Sequence, residues 1–228
     1  MKNTGIRGHR PYLILILLFV PASMILAAGQ LSAAPVTSIP GLFNTGVNDN
    51  GEVLPDGSKD PHYQLILPGS GIKDAFKIPI DKLPPPGTWA IAPMGSAWIG
   101  PNAGNASGPA GDYSYVLTFD LTGFNSSKVE ILGSWASDNS SRIYLNGKYT
   151  DNSRNRLGFR DLISFDIKTG FLSGINTLEF MVNNESSGLT GLVVANLRGT
   201  AEVPIPGSMW LLASSLIILL GFKRRFRN

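Results

Sequence analysis

Apolar and polar residues alternate with a period of two in several short stretches of the chain, whereas helical spacing is hard to find. In residues 113–121 the odd positions are apolar and the even ones are mostly polar, and similar alternation recurs further along. Successive side chains of a strand point to opposite faces of a sheet, so these stretches predict strands with one buried face. The predicted inward side chains are Tyr113, Tyr115, Leu117, Phe119, Leu121, Val129, Ile131, Trp135, Ile163, Phe165, Ile167, Leu178, Phe180 and Val182.

One further stretch, residues 189–197, is apolar at both odd and even positions, which predicts a strand covered on both faces. Turn signals separate the strands. Asn50-Gly51 and Asn146-Gly147 suit tight turns that need positive φ. Residues 84–87 and 100–112 read as loops, and the second is long enough to be functional.

Seven or more short strands separated by turns predict an all-β fold, an antiparallel β-sandwich of the jelly-roll type. The pattern shows no internal repeat, so we predict a single domain at residues 35–202. The chain contains no cysteine, and stability must therefore come from a hydrophobic core. A domain of this length buries roughly 70% of its chain surface, which is sufficient.

The N-terminal segment, residues 1–34, is typical of a secretory signal peptide. Basic residues precede an unbroken apolar run at residues 12–21, and small residues follow up to Ala34. This layout predicts a signal helix, cleaved between about Ala28 and Ala34. The alternative is an uncleaved N-terminal anchor.

The C-terminal segment, residues 203–228, combines two prolines, an apolar run and a basic end. The 16 residues from Gly207 to Phe222 would form a single transmembrane helix about 24 Å long, shorter than a span usually needs. Trp210 suits the membrane interface, and the basic end would stay cytoplasmic. The sequence alone allows a plain single-pass anchor, a signal that is cut, or a lipid-anchor signal, although the last normally lacks a basic end.

These terminal segments account for the basic character of the chain. They hold seven of its 19 Lys and Arg residues and none of its 16 acidic residues. The 12 basic and 16 acidic residues that remain give residues 35–202 a net charge of −4. Nucleic-acid binding is thereby disfavoured, because phosphate contact requires a basic surface.

Signatures of enzymes are sparse in residues 35–202. The sequence has no cysteine nucleophile, no G-x-S-x-G elbow and no H-E-x-x-H helix, and this region has one histidine, His62. We therefore expect no catalytic activity.

Candidate binding residues lie mainly at the predicted strand ends. Amides and carboxylates there either shape turns or form a rim that binds sugar hydroxyls, and such a rim would suit calcium although no cofactor is required. Residues 47–53 lack the register of a calcium loop and predict a turn. Trp135 shares a face with core residues, whereas Trp98 precedes the long loop, where an exposed indole would stack on a sugar. The candidates are Asp60, His62, Trp98, Asp138, Asn139, Asn183 and Asn184.

The C-terminal segment resembles the PEP-CTERM sorting signal of Gram-negative bacteria. A Pro-x-Pro motif, an apolar stretch with Trp-Leu and a basic cluster follow one another, although Ile205 replaces the usual glutamate between the prolines. Residues 42–194 are also similar to a group of PEP-CTERM ectodomains, which resemble galactose-binding-like jelly rolls and have no assigned activity. The residues that carry the resemblance of the signal are Val203, Pro204, Pro206, Trp210, Lys223, Arg224 and Arg225.

This resemblance implies a cellular location. It implies export across the inner membrane of a Gram-negative bacterium, transient membrane anchoring, and processing by an exosortase. We therefore expect a non-catalytic protein of the cell surface or the extracellular matrix. The alternative is a lectin-like module that binds exopolysaccharide, with or without calcium.

Overall fold

The computed structural model describes residues 34–67 and 71–204. Within these ranges the chain forms thirteen β-strands and one short 3-10 helix, Ile80–Lys82. The strands are β1 (Val36–Ser38), β2 (Lys59–Leu67), β3 (Gly71–Lys77), β4 (Ile99–Gly100), β5 (Ser107–Gly108), β6 (Gly111–Asp120), β7 (Val129–Asp138), β8 (Ser140–Leu145), β9 (Lys148–Arg154), β10 (Ile163–Ile167), β11 (Ile175–Asn184), β12 (Gly188–Leu189) and β13 (Gly191–Glu202).

Eleven of these strands form one antiparallel, hydrogen-bonded path. Its order is β10-β7-β13-β4-β3-β2-β6-β11-β8-β9, with β1 paired to β13, while β5 and β12 form a separate small sheet. The path folds back on itself, because Phe165 of β10 packs edge-on against Phe180 of β11 with ring centroids 5.9 Å apart. The result is two packed layers, and the predicted antiparallel β-sandwich is confirmed.

The main core lies between the two layers and follows the period-two pattern of the sequence. In β6 and β11, buried side chains alternate with more exposed ones along most of each strand. The predicted inward side chains are buried, except for Ile163, which is half-buried and packs against the core. The alternation therefore predicted correctly which face each strand turns inward.

A second, smaller apolar cluster covers the outer face of β7 and β13. Ala136 and Val193 alternate with the main-core residues Trp135 and Val194, so they point to the opposite face. Residues from the segments that precede β4 and β10 pack over them. The first half of β13 is consequently buried on both faces, as the sequence predicted.

The predicted turns also form. Asn146 and Gly147 both have positive φ, 52° and 74°, and join β8 to β9 in a two-residue hairpin. Gly51 has φ 76°, and Val47 bridges Val53 across the turn at residues 47–53. This segment is a turn, as the sequence indicated.

The predicted signal helix and transmembrane helix fall almost entirely outside the described residues. Within the described ranges, the chain has no helix that is both long and apolar enough to cross a membrane. Residues 203 and 204 are described, and the Val203 amide donates to the Pro35 carbonyl at 2.9 Å. The two described ends of the sandwich therefore lie side by side.

Candidate functional site

Asp138, the last residue of β7, is a buried carboxylate at one corner of the sandwich. Its Oδ2 accepts a hydrogen bond from Trp89 Nε1 at 3.0 Å, and its Oδ1 accepts one from Asn139 Nδ2 at 2.5 Å. Burial raises the pKa of this carboxyl from 3.8 to about 6, against the two hydrogen bonds, and the charge of Glu185 also acts to raise it.

The ends of β7 and β11 meet at this corner. The Asn139 amide donates to the Asn183 carbonyl at 3.2 Å, and Asn139 Oδ1 accepts the amide of Glu185 at 3.1 Å. Asn184 is buried, and its Nδ2 donates to the carbonyls of Gly108 and Pro109. The structure thus brings together four of the predicted residues, but many of their polar atoms are occupied in fixing loops.

Trp98 requires a correction. We considered it as an exposed platform for a sugar ring, yet only 2% of its surface is accessible. Its indole packs against Trp89 in a tilted arrangement with ring centroids 4.2 Å apart, and its Nε1 donates to the Ala90 carbonyl at 3.0 Å. The indole belongs to the outer apolar cluster, because the segment that contains Trp89 folds over it.

The predicted single rim also requires a correction, because Asp60 and His62 lie away from Asn183 and Asn184. Tyr63, next to His62, faces Leu117 of β6, whereas Asn183 faces Asp112 of the same strand. Five residues of an extended strand separate these positions by about 17 Å. The candidates therefore belong to at least two places on the sandwich.

At the start of β2, Asp60 organises the backbone. It is buried, and its carboxylate accepts the backbone amides of Gly46, His62 and Tyr63 at 2.7 to 3.1 Å. Burial raises the pKa of the Asp60 carboxyl, and these three amides oppose the shift. The His62 ring stacks on Phe43 with centroids 3.6 Å apart. These contacts indicate that both residues shape the strand entrance.

A groove of about 550 Å³ lies beside the corner that Asn183 occupies. We call it the polar groove; it is lined among others by Leu67, Lys73, Phe76, Pro101, Asn102 and Asp112. One wall is the long loop at residues 100–112, whose length predicted a functional segment. Asp112 accepts a hydrogen bond from Asn183 Nδ2 at 2.6 Å, so one predicted residue orients this carboxylate.

The polar groove combines apolar surface with a few polar groups. Asp74, another lining residue, pairs with Lys59 at 2.6 Å, and Lys73 and Asp112 each add one charge, of opposite sign, to the lining. Asn102 is fixed by a hydrogen bond from its Nδ2 to the Ser107 carbonyl. Sequence reasoning missed Lys73, Asn102 and Asp112 as individual residues. The long loop pointed to Asn102 and Asp112, whereas no signal singled out Lys73 in β3.

A second groove of about 560 Å³ lies over the outer apolar cluster. We call it the proline groove; it is lined among others by Lys77, Ile80, Pro85, Trp89, Ile91 and Trp98. Ile80 and Ile91 are exposed at its edge, with 74% and 87% of their surfaces accessible. Lys77 pairs with Asp56 at the edge of the groove. This groove is therefore mainly apolar, and the charge of Lys77 in its lining is paired.

Among the residues that the structure describes, no three His, Cys, Asp or Glu side chains are grouped closely enough to hold a metal ion. Calcium ligands also include amide and carbonyl oxygens. Calcium at the rim of the sandwich stays a prediction.

No protein-family model matches the chain, and no curated protein matches it. Among solved structures, a cyclase from Fischerella sp. TAU is 14% identical, with 75% of this chain and 100% of that chain covered and a TM-score of 0.45. CBM35 from Paenibacillus barcinonensis is 14% identical, with 58% and 97% covered and a TM-score of 0.30.

The CBM36-1 domain of a multidomain xylanase from the hindgut metagenome of Trinervitermes trinervoides is 10% identical, with 75% of this chain and 98% of that chain covered and a TM-score of 0.28. Likeness of this degree, with all three TM-scores below 0.5, carries no inference about ligand or activity.

Proposed function

We propose that the protein is an exported, non-catalytic protein of the cell surface or extracellular matrix whose β-sandwich binds a carbohydrate in the polar groove. The tail at residues 203–228, with its resemblance to the PEP-CTERM signal, supports the export route and processing by an exosortase. The lining of the polar groove supports the binding activity.

Apolar and planar polar groups meet in one concave site, and this arrangement supports carbohydrate binding. Phe76 and Leu67 offer apolar surface to the C–H face of a sugar ring, and Asp112 and Asn102 offer planar polar groups to its hydroxyls. Ligand sites typically combine an apolar lining with a few placed polar groups, in volumes of about 300 to 1,000 Å³. The Asn183 amide holds the Asp112 carboxylate in position.

A polysaccharide-binding assay with the full-length chain in a mild detergent tests this function, run with calcium and again with a chelator. We expect saturable binding that falls about tenfold or more in Asp112→Ala, because a hydrogen bond to a charged group contributes about 1.5 to 3 kcal/mol. Asp166→Ala, an exposed carboxylate on the edge strand β10, is the matched control and should bind normally.

Loss of binding in the presence of the chelator would show that binding requires a metal ion. Absence of binding to every glycan, including the exopolysaccharide of the host, would refute the binding function.

A structural matrix component is the second candidate function, and a specific observation favours it. Asp138 and Asn184 are buried and hydrogen-bonded within the protein, as expected of side chains that build turns. If no glycan binds, this candidate stands.

A further inference from the structure

Two turns of the sandwich contain the same dipeptide, Asn-Gly: Asn50-Gly51 lies before β2, and Asn146-Gly147 joins β8 to β9. Asparagine deamidates spontaneously when the backbone nitrogen of the next residue attacks its side-chain carbon Cγ. Glycine in the next position favours this reaction, because it has no side chain to hinder the close approach of its nitrogen. The surroundings of each asparagine therefore decide which dipeptide reacts in the folded protein.

The side chain of Asn146 is fixed by three hydrogen bonds. Its Nδ2 donates to the Gly170 carbonyl at 3.0 Å and to Asn176 Oδ1 at 2.8 Å, and its Oδ1 accepts the amide of Thr177 at 3.0 Å. Asn176 is itself buried and donates to two further carbonyls. Ring closure on Cγ changes the positions of both amide atoms, so these bonds must break before Asn146 can react.

The side chain of Asn50 has no such support. Asn50 and Gly51 are exposed, and among the residues that the structure describes the Asn50 side chain makes no hydrogen bond. The Gly51 amide donates to the Asn48 carbonyl at 2.9 Å, and the reaction requires this bond to open. Opening costs little free energy in a solvent-exposed turn, so the Asn50 side chain and the Gly51 nitrogen can meet.

From this contrast we infer that Asn50 is a site of spontaneous deamidation in the folded protein, whereas the fold protects Asn146. The Gly51 nitrogen, after giving its proton to hydroxide, forms a bond to Asn50 Cγ. The Cγ–Nδ2 bond then breaks, and Nδ2 takes up a proton and leaves as ammonia. Water opens the resulting cyclic imide to aspartate or isoaspartate. The net reaction consumes one water and releases one ammonia, with no oxidation or reduction.

The modification changes the charge and the shape of the turn. Either product adds one negative charge, which takes residues 35–202 from a net charge of −4 to −5. The new carboxylate lies in a segment that already contains Asp49 and Glu52. Isoaspartate also lengthens the backbone by one carbon atom, which should break the hydrogen bond between Gly51 and Asn48.

The damage should stay within the turn. Val47 bridges Val53 at its base, and the Leu54 amide donates to the Gly46 carbonyl at 2.9 Å. The Gly46 amide in turn donates to the buried Asp60 carboxylate at 2.7 Å. Because these contacts do not involve residues 48–52, the sandwich should remain folded while the modified form accumulates with age.

Ageing of the full-length chain in a mild detergent, at neutral and at mildly alkaline pH, tests the inference. Peptide mapping by mass spectrometry measures the converted fraction of each asparagine, and backbone fragmentation separates isoaspartate from aspartate. We expect residue 50 to convert at least about tenfold faster than residue 146, since one typical hydrogen bond alone corresponds to about a five- to tenfold change in rate. Conversion should quicken as pH rises, because the attacking nitrogen must lose its proton.

The same chain unfolded in guanidinium chloride is the matched control, in which the two rates should become similar because both side chains lose their contacts. Asn50→Gln removes the reactive side chain at an exposed position, so conversion there should cease while residue 146 keeps its rate. Asn50→Asp imitates one product and should unfold at the same urea concentration as the wild type, because the contacts at the base of the turn remain.

Equal conversion of residues 50 and 146 in the folded protein, or faster conversion of residue 146, would overturn the inference. A rate ratio that persists in guanidinium chloride would also overturn it, because the difference would then come from the neighbouring residues instead of the fold. The same holds if Asn50 reacts in the unfolded chain alone, since the turn would then protect it. None of these results bears on carbohydrate binding in the polar groove.

Discussion

Two buried aspartates of the same sandwich accept hydrogen bonds from different kinds of donor. Asp60 accepts three backbone amides, from Gly46, His62 and Tyr63, whereas the described bonds to the carboxylate of Asp138 come from two side chains, Trp89 and Asn139. Burial raises the pKa of both carboxyls, so both cost free energy when ionised. They differ in what each negative charge holds in place.

The comparison shows how to separate a carboxylate that shapes the chain from one that positions a side chain. Loss of Asp60 would leave backbone amides without an acceptor, and no rotamer change can move those amides away. Loss of Asp138 would release the Trp89 indole, which can readjust within its groove.

The largest effect is expected for Asp60→Ala. Three backbone amides lose their acceptor in a buried place, and each unsatisfied buried group costs about 1 to 3 kcal/mol, so unfolding free energy should fall by about 3 to 5 kcal/mol. Urea unfolding of the full-length chain in a mild detergent, followed by tryptophan fluorescence, measures it. A loss below about 1 kcal/mol would show that the three amides find other acceptors.

The pH dependence of stability should reveal Asp138. Its pKa is about 6 in the folded protein and about 3.8 in the unfolded chain, so the folded state holds the proton more tightly. The stabilising contribution is complete below pH 3.8 and is lost as pH rises through 6. The resulting loss of unfolding free energy between pH 4 and pH 7 should be about 2 kcal/mol, because solvent near this corner screens part of the charge.

The variant Asp138→Asn isolates this contribution. The difference in unfolding free energy between pH 4 and pH 7 should change relative to the wild type, with the variant losing less stability as pH rises. Identical pH profiles of variant and wild type would contradict the raised pKa. Asp60 remains ionisable in both proteins, so its own titration cancels in the comparison.

A smaller effect is expected for Trp89→Phe, which keeps an aromatic ring against Trp98 but removes the hydrogen bond to Asp138. We expect a loss of about 1 to 2 kcal/mol at pH 7, part of it from the smaller ring. A double-mutant cycle with Asp138→Asn separates the two parts, because a real hydrogen bond gives non-additive losses. Additive losses would mean that the bond contributes nothing.

The smallest effect is expected for Asp49→Ala, near Asp60 at the start of β2. Asp49 Oδ1 lies 3.7 Å from His62 Nε2, but the Asp49 side chain is 88% exposed. A carboxylate this exposed contributes about 0 to 1 kcal/mol through a charge pair, so the change in unfolding free energy should stay below about 0.5 kcal/mol at pH 7. A larger change would show that the Asp49 carboxylate contributes more than its exposure predicts.

The strands could be predicted from the sequence because burial on one face leaves a period-two signal that needs no tertiary information. The same holds for the Asn146-Gly147 hairpin, where the dipeptide itself favours positive φ at both residues. The double coverage of β13 was also visible, as a run of apolar residues with no polar face.

The burial of Trp98 could not be predicted, because no periodic pattern links it to the segment that covers it. Trp89 lies nine residues earlier, after a run of prolines that indicated only a loop. The position of the Trp89 indole depends on Asp138, 49 residues further along the chain, which accepts a hydrogen bond from Trp89 Nε1. Such a contact between distant segments leaves no local signal.

The polar groove was predictable only in outline. The length of the loop at residues 100–112 indicated a functional segment, but Asp112 becomes a candidate only when β6 and β11 pair in the register that sets it opposite Asn183. Register comes from the whole pattern of the sheet and from its turns. Likewise, the separation of His62 from Asn183 depends on which end of each strand they occupy.

The pairing of β1 with β13, which sets Val36 opposite Glu202, gives the sandwich a mechanical property. A force applied at residue 204 would pull β13 along its own axis. Over residues 198–201 β7 holds that strand on one side, and β1 holds residues 200–202 on the other. Hydrogen bonds on both sides would then be loaded together in shear instead of breaking one after another, so a domain tethered through this end would resist extension before it unravelled.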